Sequence, residues 1–214
     1  MKEFVDKKYH QFYKSIEFER KGLFELIKKE FNPKTVLYPG CSIHVTPSFY
    51  FNYVVYIDRS DLSKEFFNNK TQVSQLINGN KNYKESSFWQ YNDKDFQFDL
   101  SLNENYFDLL ISIFSGKLIN YCEKYIKQEG IILTTTLFSD NELIINNDNF
   151  ELIGMFWCSN EKYKIDYDLK TRTKNKSRLR RKNNGFEYVD NEDYFIYRKK
   201  NTAHNKRYKT LEFK

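Results

Sequence analysis

The stretch Thr35–Asp58 constrains the fold of this chain more than any other. It holds two short apolar strands, Thr35-Val36-Leu37-Tyr38 and Tyr53-Val54-Val55-Tyr56-Ile57, both rich in β-branched and aromatic residues. The first runs into Pro39-Gly40-Cys41, where proline presets φ and glycine accepts the positive φ of a type II turn. After Ser42, Ile43, His44 and Val45, the pair Thr46-Pro47 suits a helix start, with Thr46 as N-cap and Pro47 at the first helical position. The second strand ends on Asp58. A strand, a glycine turn, a helix start and an acid closing the next strand make the plan of a nucleoside or nucleotide site. The turn lets backbone approach a ligand, and a carboxylate about 20 residues on can bond ribose hydroxyls.

The rest of the chain alternates in the same way. Residues 8–31 carry one amphipathic helical stripe through Tyr9, Phe12, Tyr13, Ile16, Leu23 and Ile27, stopped by Asn32-Pro33. Ser60 is an N-cap for helical patterning over 61–78, with a break at Lys70-Thr71. A third strand falls around Glu85–Tyr91. Phe107–Phe114 is a near-continuous apolar run, as expected of a parallel strand covered on both faces. A helix over 117–128 with Gly130 as C-cap, a strand at Ile131–Thr136, a short helix near 139–146 and a strand at 150–157 complete a core spanning 34–158. Residues 160–185 read as a polar, basic, unpatterned loop; a last strand lies within 186–199, and 200–214 form a tail. The alternation predicts one α/β domain, with a mostly parallel sheet between helices on both faces.

Size and charge agree with that reading. A chain of 214 residues, 40% hydrophobic, fits one domain with a core that needs no staple. Cys41, Cys122 and Cys158 are an odd, widely spaced set, read as free thiols of a reducing compartment. The charged opening segment and the lack of a long apolar run lead to the expectation of a cytoplasmic protein without a membrane partner. The net charge of +6 is uneven: residues 161–214 hold 17 Lys and Arg against 8 Asp and Glu, whereas the first 160 hold 18 against 21. Lys170–Lys182 alone has eight Lys and Arg and no acid. That strip is either a phosphate-binding surface for nucleic acid, through residues such as Arg178, Arg180 and Arg181, or a solvated loop.

Over roughly residues 30–158 the chain resembles the class I S-adenosylmethionine-dependent methyltransferases. Val36-Leu37-Tyr38-Pro39-Gly40-Cys41 stands where that family has its glycine-rich first motif, and Tyr56-Ile57-Asp58-Arg59-Ser60 looks like its ribose-binding strand end. Phe107–Ser112 looks like its fourth strand, and Tyr125–Leu133 is similar to its lysine-to-glycine junction before strand five. The resemblance implies a Rossmann-like, seven-stranded sheet with an antiparallel last strand, and S-adenosylmethionine as cofactor across the ends of strands one and two. It places the cofactor against Tyr38, Gly40, Cys41, Ser42, His44, Asp58, Arg59 and Asp93, and the substrate beside Ser112 and Ser115. Where the family has an acid and further glycines, this chain has Tyr38, Ser42 and His44; only Gly40 is kept.

Several of these residues have a plainer reading. Asp58 either accepts ribose hydroxyls or caps the following helix. His44 is either a base or a hydrogen-bonded bystander. Tyr38 is either a cofactor contact or an aromatic packed on the sheet. Asp93 either meets an adenine amino group or sits in a solvated loop, and Cys41 reads best as a small buried hydrophobe. Three scattered histidines give no zinc-ligand spacing. The function expected is methyl transfer to an unidentified acceptor; the alternative is a non-catalytic module that binds nucleic acid or a nucleoside.

Overall fold

The computed structural model describes residues 3–135, 140–159, 162–168, 179–182, 185–188 and 192–201. Six α-helices and ten strands occur among them: α1 (Phe4–Tyr9), α2 (Lys21–Phe31), β1 (Val36–Pro39), β2 (Tyr53–Ile57), α3 (Asp61–Asn68), α4 (Lys70–Asn80), β3 (Phe88–Asn92), β4 (Phe107–Ser112), α5 (Ile119–Cys122), β5 (Ile126–Thr135), α6 (Asp140–Ile145), β6 (Phe150–Ser159), β7 (Lys162–Asp166), β8 (Leu179–Lys182), β9 (Gly185–Tyr188) and β10 (Asp193–Lys199). None of the described helices is long and apolar enough to cross a membrane.

Eight strands form one sheet in the order β3-β2-β1-β4-β5-β10-β6-β7. The run from β3 to β5 is parallel. As expected, the last strand, β10, is antiparallel, here to both β5 and β6. Alternate residues of the central strands face two apolar layers: Val36, Tyr38, Val54 and Tyr56 meet α2, α3 and α4, while Leu37, Val55, Ile57 and Leu110 meet α5 and α6. The strand order reverses at the β1–β4 pair, and in open α/β sheets such a switch point, at the carboxyl ends of the strands, is where ligands bind.

Four expectations are corrected. The sheet has eight strands rather than seven, because β7 adds antiparallel to β6 inside the stretch read as unpatterned. Its Lys162-Tyr163-Lys164-Ile165 alternates exposed lysines with half-buried apolar residues, a period of two hidden by the surrounding charge. A separate hairpin, β8–β9, occupies part of the same stretch and pairs Arg180 with Glu187 and Arg181 with Phe186 in register.

The N-terminal helix is not continuous: α1 passes into a π-helical turn, His10–Lys14, and α2 starts only at Lys21, with Glu17 and Arg20 left-handed at φ 57° and 56°. The ring of Tyr13 packs on His44 and that of Phe18 on Phe114, and these contacts override the helical stripe. The helix expected over 117–128 is only α5 plus a 3-10 turn, Glu123–Tyr125. Gly130 caps no helix; it sits in β5 at a bulge, where a Cβ would lie 2.7 Å from Ile126 and 2.9 Å from the carbonyl of Lys127. Finally, Thr46 does not cap a helix. It opens a 3-10 turn, Thr46–Phe49, and its hydroxyl bonds the Tyr9 hydroxyl at 2.7 Å.

Asp108 fastens the opposite, amino-terminal edge. Its carboxylate accepts from the backbone N–H groups of Lys34 and Thr35 at 2.9 Å, from the Thr35 hydroxyl and from Lys127 Nζ at 2.7 Å, tying β1, β4 and β5 together. Burial alone would raise its pKa, but the Lys127 and Thr35 donors outweigh burial and hold it below the ordinary carboxylate range. We expect Asp108→Ala to lower stability by about 2–3 kcal/mol in urea titrations, since it leaves several donors unsatisfied. Because the folded pKa is depressed, the contribution is full above the unfolded carboxylate pKa and is lost as pH falls through the folded value.

Candidate active site

The switch point is formed by the ends of β1, β2 and β4. β1 turns at Gly40, whose φ of +63° is left-handed and whose N–H donates to Ile57 O at 2.7 Å. A Cβ at Gly40 would fall 1.9 Å from Ser115 Oγ, so the turn after β1 and the end of β4 close on each other at the switch point. Ser42 is also left-handed, at φ 49°, and its N–H donates to Asp58 Oδ2 at 2.8 Å. The other carboxylate oxygen of Asp58 accepts from Ser60 N–H at 2.8 Å, while Ser60 itself caps α3 through Ser63 N–H. Asp58 thus serves both the turn and the helix start. It is partly exposed, and two accepted bonds leave about two lone-pair positions of the carboxylate open.

Around this centre the other predicted residues separate. Arg59 pairs with Asp95 at 2.9 Å and Asp93 with Lys64 at 2.6 Å, so the loop after β3 is held to the start of α3 by ion pairs. Ser115 lies against Gly40 at the switch point, but Ser112 is buried and donates to the Asp140 carboxylate, which also accepts from Leu118 and Ile119 N–H. Burial raises the Asp140 pKa against the pull of those donors. Arg180 and Arg181 belong to β8, away from these strands in the chain, and Arg178 lies outside the described residues.

Tyr38, Cys41 and His44 have no exposed surface. Cys41 Sγ faces Ile57 O, and burial, followed by the Asp58 charge, pushes its thiol pKa well up, so it stays protonated. His44 lies between the Tyr38 hydroxyl, 3.0 Å from Nδ1, and Glu19 O, 3.1 Å from Nε2. A carbonyl only accepts, so Nε2 carries the proton and Nδ1 accepts from Tyr38. Burial, then the Arg20 charge, lowers the His44 pKa to about 3.

The sequence reading missed the N-terminal cover. Tyr13 packs against His44 with ring centroids 4.6 Å apart, and Arg20 places its guanidinium 3.5 Å from the Phe18 ring and 4.8 Å from that of Phe114. Arg20 Nε also donates to the Tyr194 hydroxyl of β10. No local signal marks Arg20, because Phe114 and Tyr194 lie far from it in sequence. Asp140 was missed for the same reason.

No protein-family model matches the sequence, and no curated protein sequence does. Solved structures do match in fold. A methyltransferase from Geobacter sulfurreducens is 12% identical, with TM-score 0.53 over 92% of this chain and 91% of that one. The N-methyltransferase NodS from Bradyrhizobium japonicum is 11% identical, with TM-score 0.51 over 87% and 98%. A ribosomal protein L11 methylase from Lactobacillus delbrueckii is 12% identical, with TM-score 0.50 over 85% and 78%. The chain has the Rossmann-like fold of class I methyltransferases.

Two outcomes test the site's construction. Gly40→Ala should cost about 1–3 kcal/mol from positive φ and the Ser115 clash; adding Ser115→Gly should restore the steric part only, read as non-additivity in a double-mutant cycle. His44, neutral when folded, favours the folded state fully above its unfolded pKa of about 6.5. That stability should drain by up to about 1.4 kcal/mol per pH unit as pH falls from there towards the folded value, and His44→Gln should flatten this part of the pH profile.

Proposed function

We infer that this protein is an S-adenosylmethionine-dependent methyltransferase, with the adenosyl group lying across the ends of β1 and β2. The observation that carries this reading is Asp58: a partly exposed carboxylate closing β2, anchored to the left-handed turn after β1, on a class I methyltransferase fold. Its two open lone-pair positions suit the two ribose hydroxyls, and charge-assisted bonds of this kind are among the stronger ones. The Gly40–Ser42 turn is the backbone wall on the other side.

The side chains of Tyr38, Cys41 and His44 support that wall from behind, within the core. Asp93 and Arg59, each already ion-paired, shape the adenine side. When bound, the cofactor would supply an electrophilic methyl group on its sulfonium. The chain's own task is then in-line placement of the acceptor beside Ser115, at the ends of β4 and β5.

Calorimetric titration with adenosylhomocysteine tests the reading. The wild type should bind, and Asp58→Ala should weaken binding about 10- to 100-fold through lost charge-assisted bonds, with Asp58→Asn intermediate. Thermal melts of each variant separate lost binding from a loosened turn. Absence of binding by the wild type, or equal binding by a folded Asp58→Ala, would overturn the proposal.

A further inference from the structure

One sequence feature plays no part in the adenosyl cradle: the basic run Lys170–Lys182. Its place in the fold is set by the strands on either side. β10 is antiparallel to both β5 and β6, so β6 ends at the carboxyl end of the parallel strands; Ser159 there pairs with Lys162, and β7 begins at that end. The chain leaves β7 after Asp166 and rejoins the sheet at Asp193, next to the pair of Tyr194 with Thr135, the last residue of β5. Residues 167–192 are thus an insertion that returns at the same end of the sheet as Asp58 and Ser115. Glu192, at its foot, is buried and pairs with Arg20 at 3.8 Å, and the Arg20 guanidinium lies 4.8 Å from the ring of Phe114, the neighbour of Ser115.

The insertion is one-sided in charge. It holds eight Lys and Arg, all within Lys170–Lys182, where no acid stands. The described part of that run is β8, which carries Arg180, Arg181 and Lys182, and β9 sets Phe186 opposite Arg181 and Tyr188 opposite Leu179. Cationic and aromatic residues thus take facing positions of one hairpin, the combination that contacts phosphates and stacks bases. Lys162 and Lys164, exposed on β7, carry the positive charge onto the main sheet. Four strand spacings, about 19 Å, separate β7 from β4. A small acceptor beside Ser115 does not reach these cations, whereas an extended chain of phosphates spans the distance.

We propose that the methyl acceptor is a single-stranded nucleic acid, held along β7 and the β8–β9 hairpin while one of its nucleotides lies beside Ser115. This assignment rests on the methyltransferase reading above. A nucleophilic nitrogen or oxygen of the strand forms the new bond to the methyl carbon as the S–CH3 bond breaks with its electron pair onto sulfur, and the acceptor's proton passes to solvent. An unpaired strand fits better than a duplex, because stacking on Phe186 and Tyr188 needs a free base face. An acidic protein would use the cations but leave the aromatic positions without a role.

Fluorescence titration with labelled single-stranded oligonucleotides across a range of salt is the test. The wild type should bind, with log K falling by about 0.7 per contacted phosphate for each tenfold rise in salt. Replacing Arg180, Arg181 and Lys182 together by Ala should reduce that slope by about 2, while adenosylhomocysteine binds as it does to the wild type. Phe186→Ala should weaken single-strand binding about tenfold and keep the salt slope. If the triple variant misfolds, Lys162→Ala with Lys164→Ala decides, through a slope smaller by about 1.4. Methyl label from adenosylmethionine, offered to random-sequence RNA and DNA strands, should enter one of them and so name the acceptor. A wild type that binds adenosylhomocysteine but no nucleic acid overturns this assignment alone. Nucleic-acid binding without adenosylhomocysteine binding overturns the methyltransferase reading and the acceptor with it. An unchanged slope in a folded triple variant, competition by polyglutamate as strong as by RNA, or label in neither nucleic acid would also overturn the proposal.

Discussion

The carboxylate of Asp58 joins pieces of chain that sequence keeps apart. One oxygen holds Ser42 of the turn after β1, and the other holds Ser60, where α3 begins. The Tyr91 hydroxyl donates to the Asp58 carbonyl at 2.7 Å, so β3 is tied to the same point. A charged acceptor makes stronger bonds to backbone N–H groups than a neutral one does. Ser42 can therefore be held in a left-handed conformation that a residue with a Cβ adopts at a cost. The family resemblance leads one to expect glycine there. This chain keeps the turn's shape with an anchor instead.

The packing behind the turn accounts for Tyr38 and His44, which stand where the resemblance leads one to expect an acid and a glycine. Tyr38 and His44 are large, but they face the core; the Tyr38 hydroxyl donates to His44 Nδ1, and Glu19 O accepts the proton on Nε2. Such a network is worth keeping only when fully satisfied, because an unpaired buried polar group is costly. The aromatic cover of Tyr13, Phe18 and Phe114 excludes water from it, and Arg20 fixes that cover to β10 through Tyr194. The broken N-terminal helix follows from this: a continuous helix would carry Tyr13 and Phe18 along a single straight axis and lose these contacts.

Much of the layered framework was legible in the sequence, and the reason lies in period and punctuation. Val36–Tyr38, Tyr53–Ile57 and Phe107–Ser112 are strands by local preference and by burial at once, so propensity and packing agree. Ser60 caps α3, the break at Lys70 is real, and Gly40 takes the positive φ its turn demands. The misses fall where the two disagree. Gly130 looks like a helix terminator but is a bulge glycine, because Ile126 and Lys127 are claimed by β4 and Asp108. β7 alternates correctly but lies among charges that mask the alternation.

For the site, the sequence by itself determined the turn, its glycine and the acid that closes the second strand, since those depend on backbone geometry within a few residues of one another. It also pointed to the carboxyl ends of the strands as the ligand end, because strands that alternate with helices form an open α/β sheet. Only the tertiary structure decided the strand order, and which side chains at that end are exposed and which face the core. Tyr38 and His44 stand beside Gly40 in sequence yet are buried away from solvent, whereas Tyr13 and Arg20 are remote in sequence yet roof the same region. The direction of a side chain is set by the neighbours that pack around it, and those neighbours come from all along the chain.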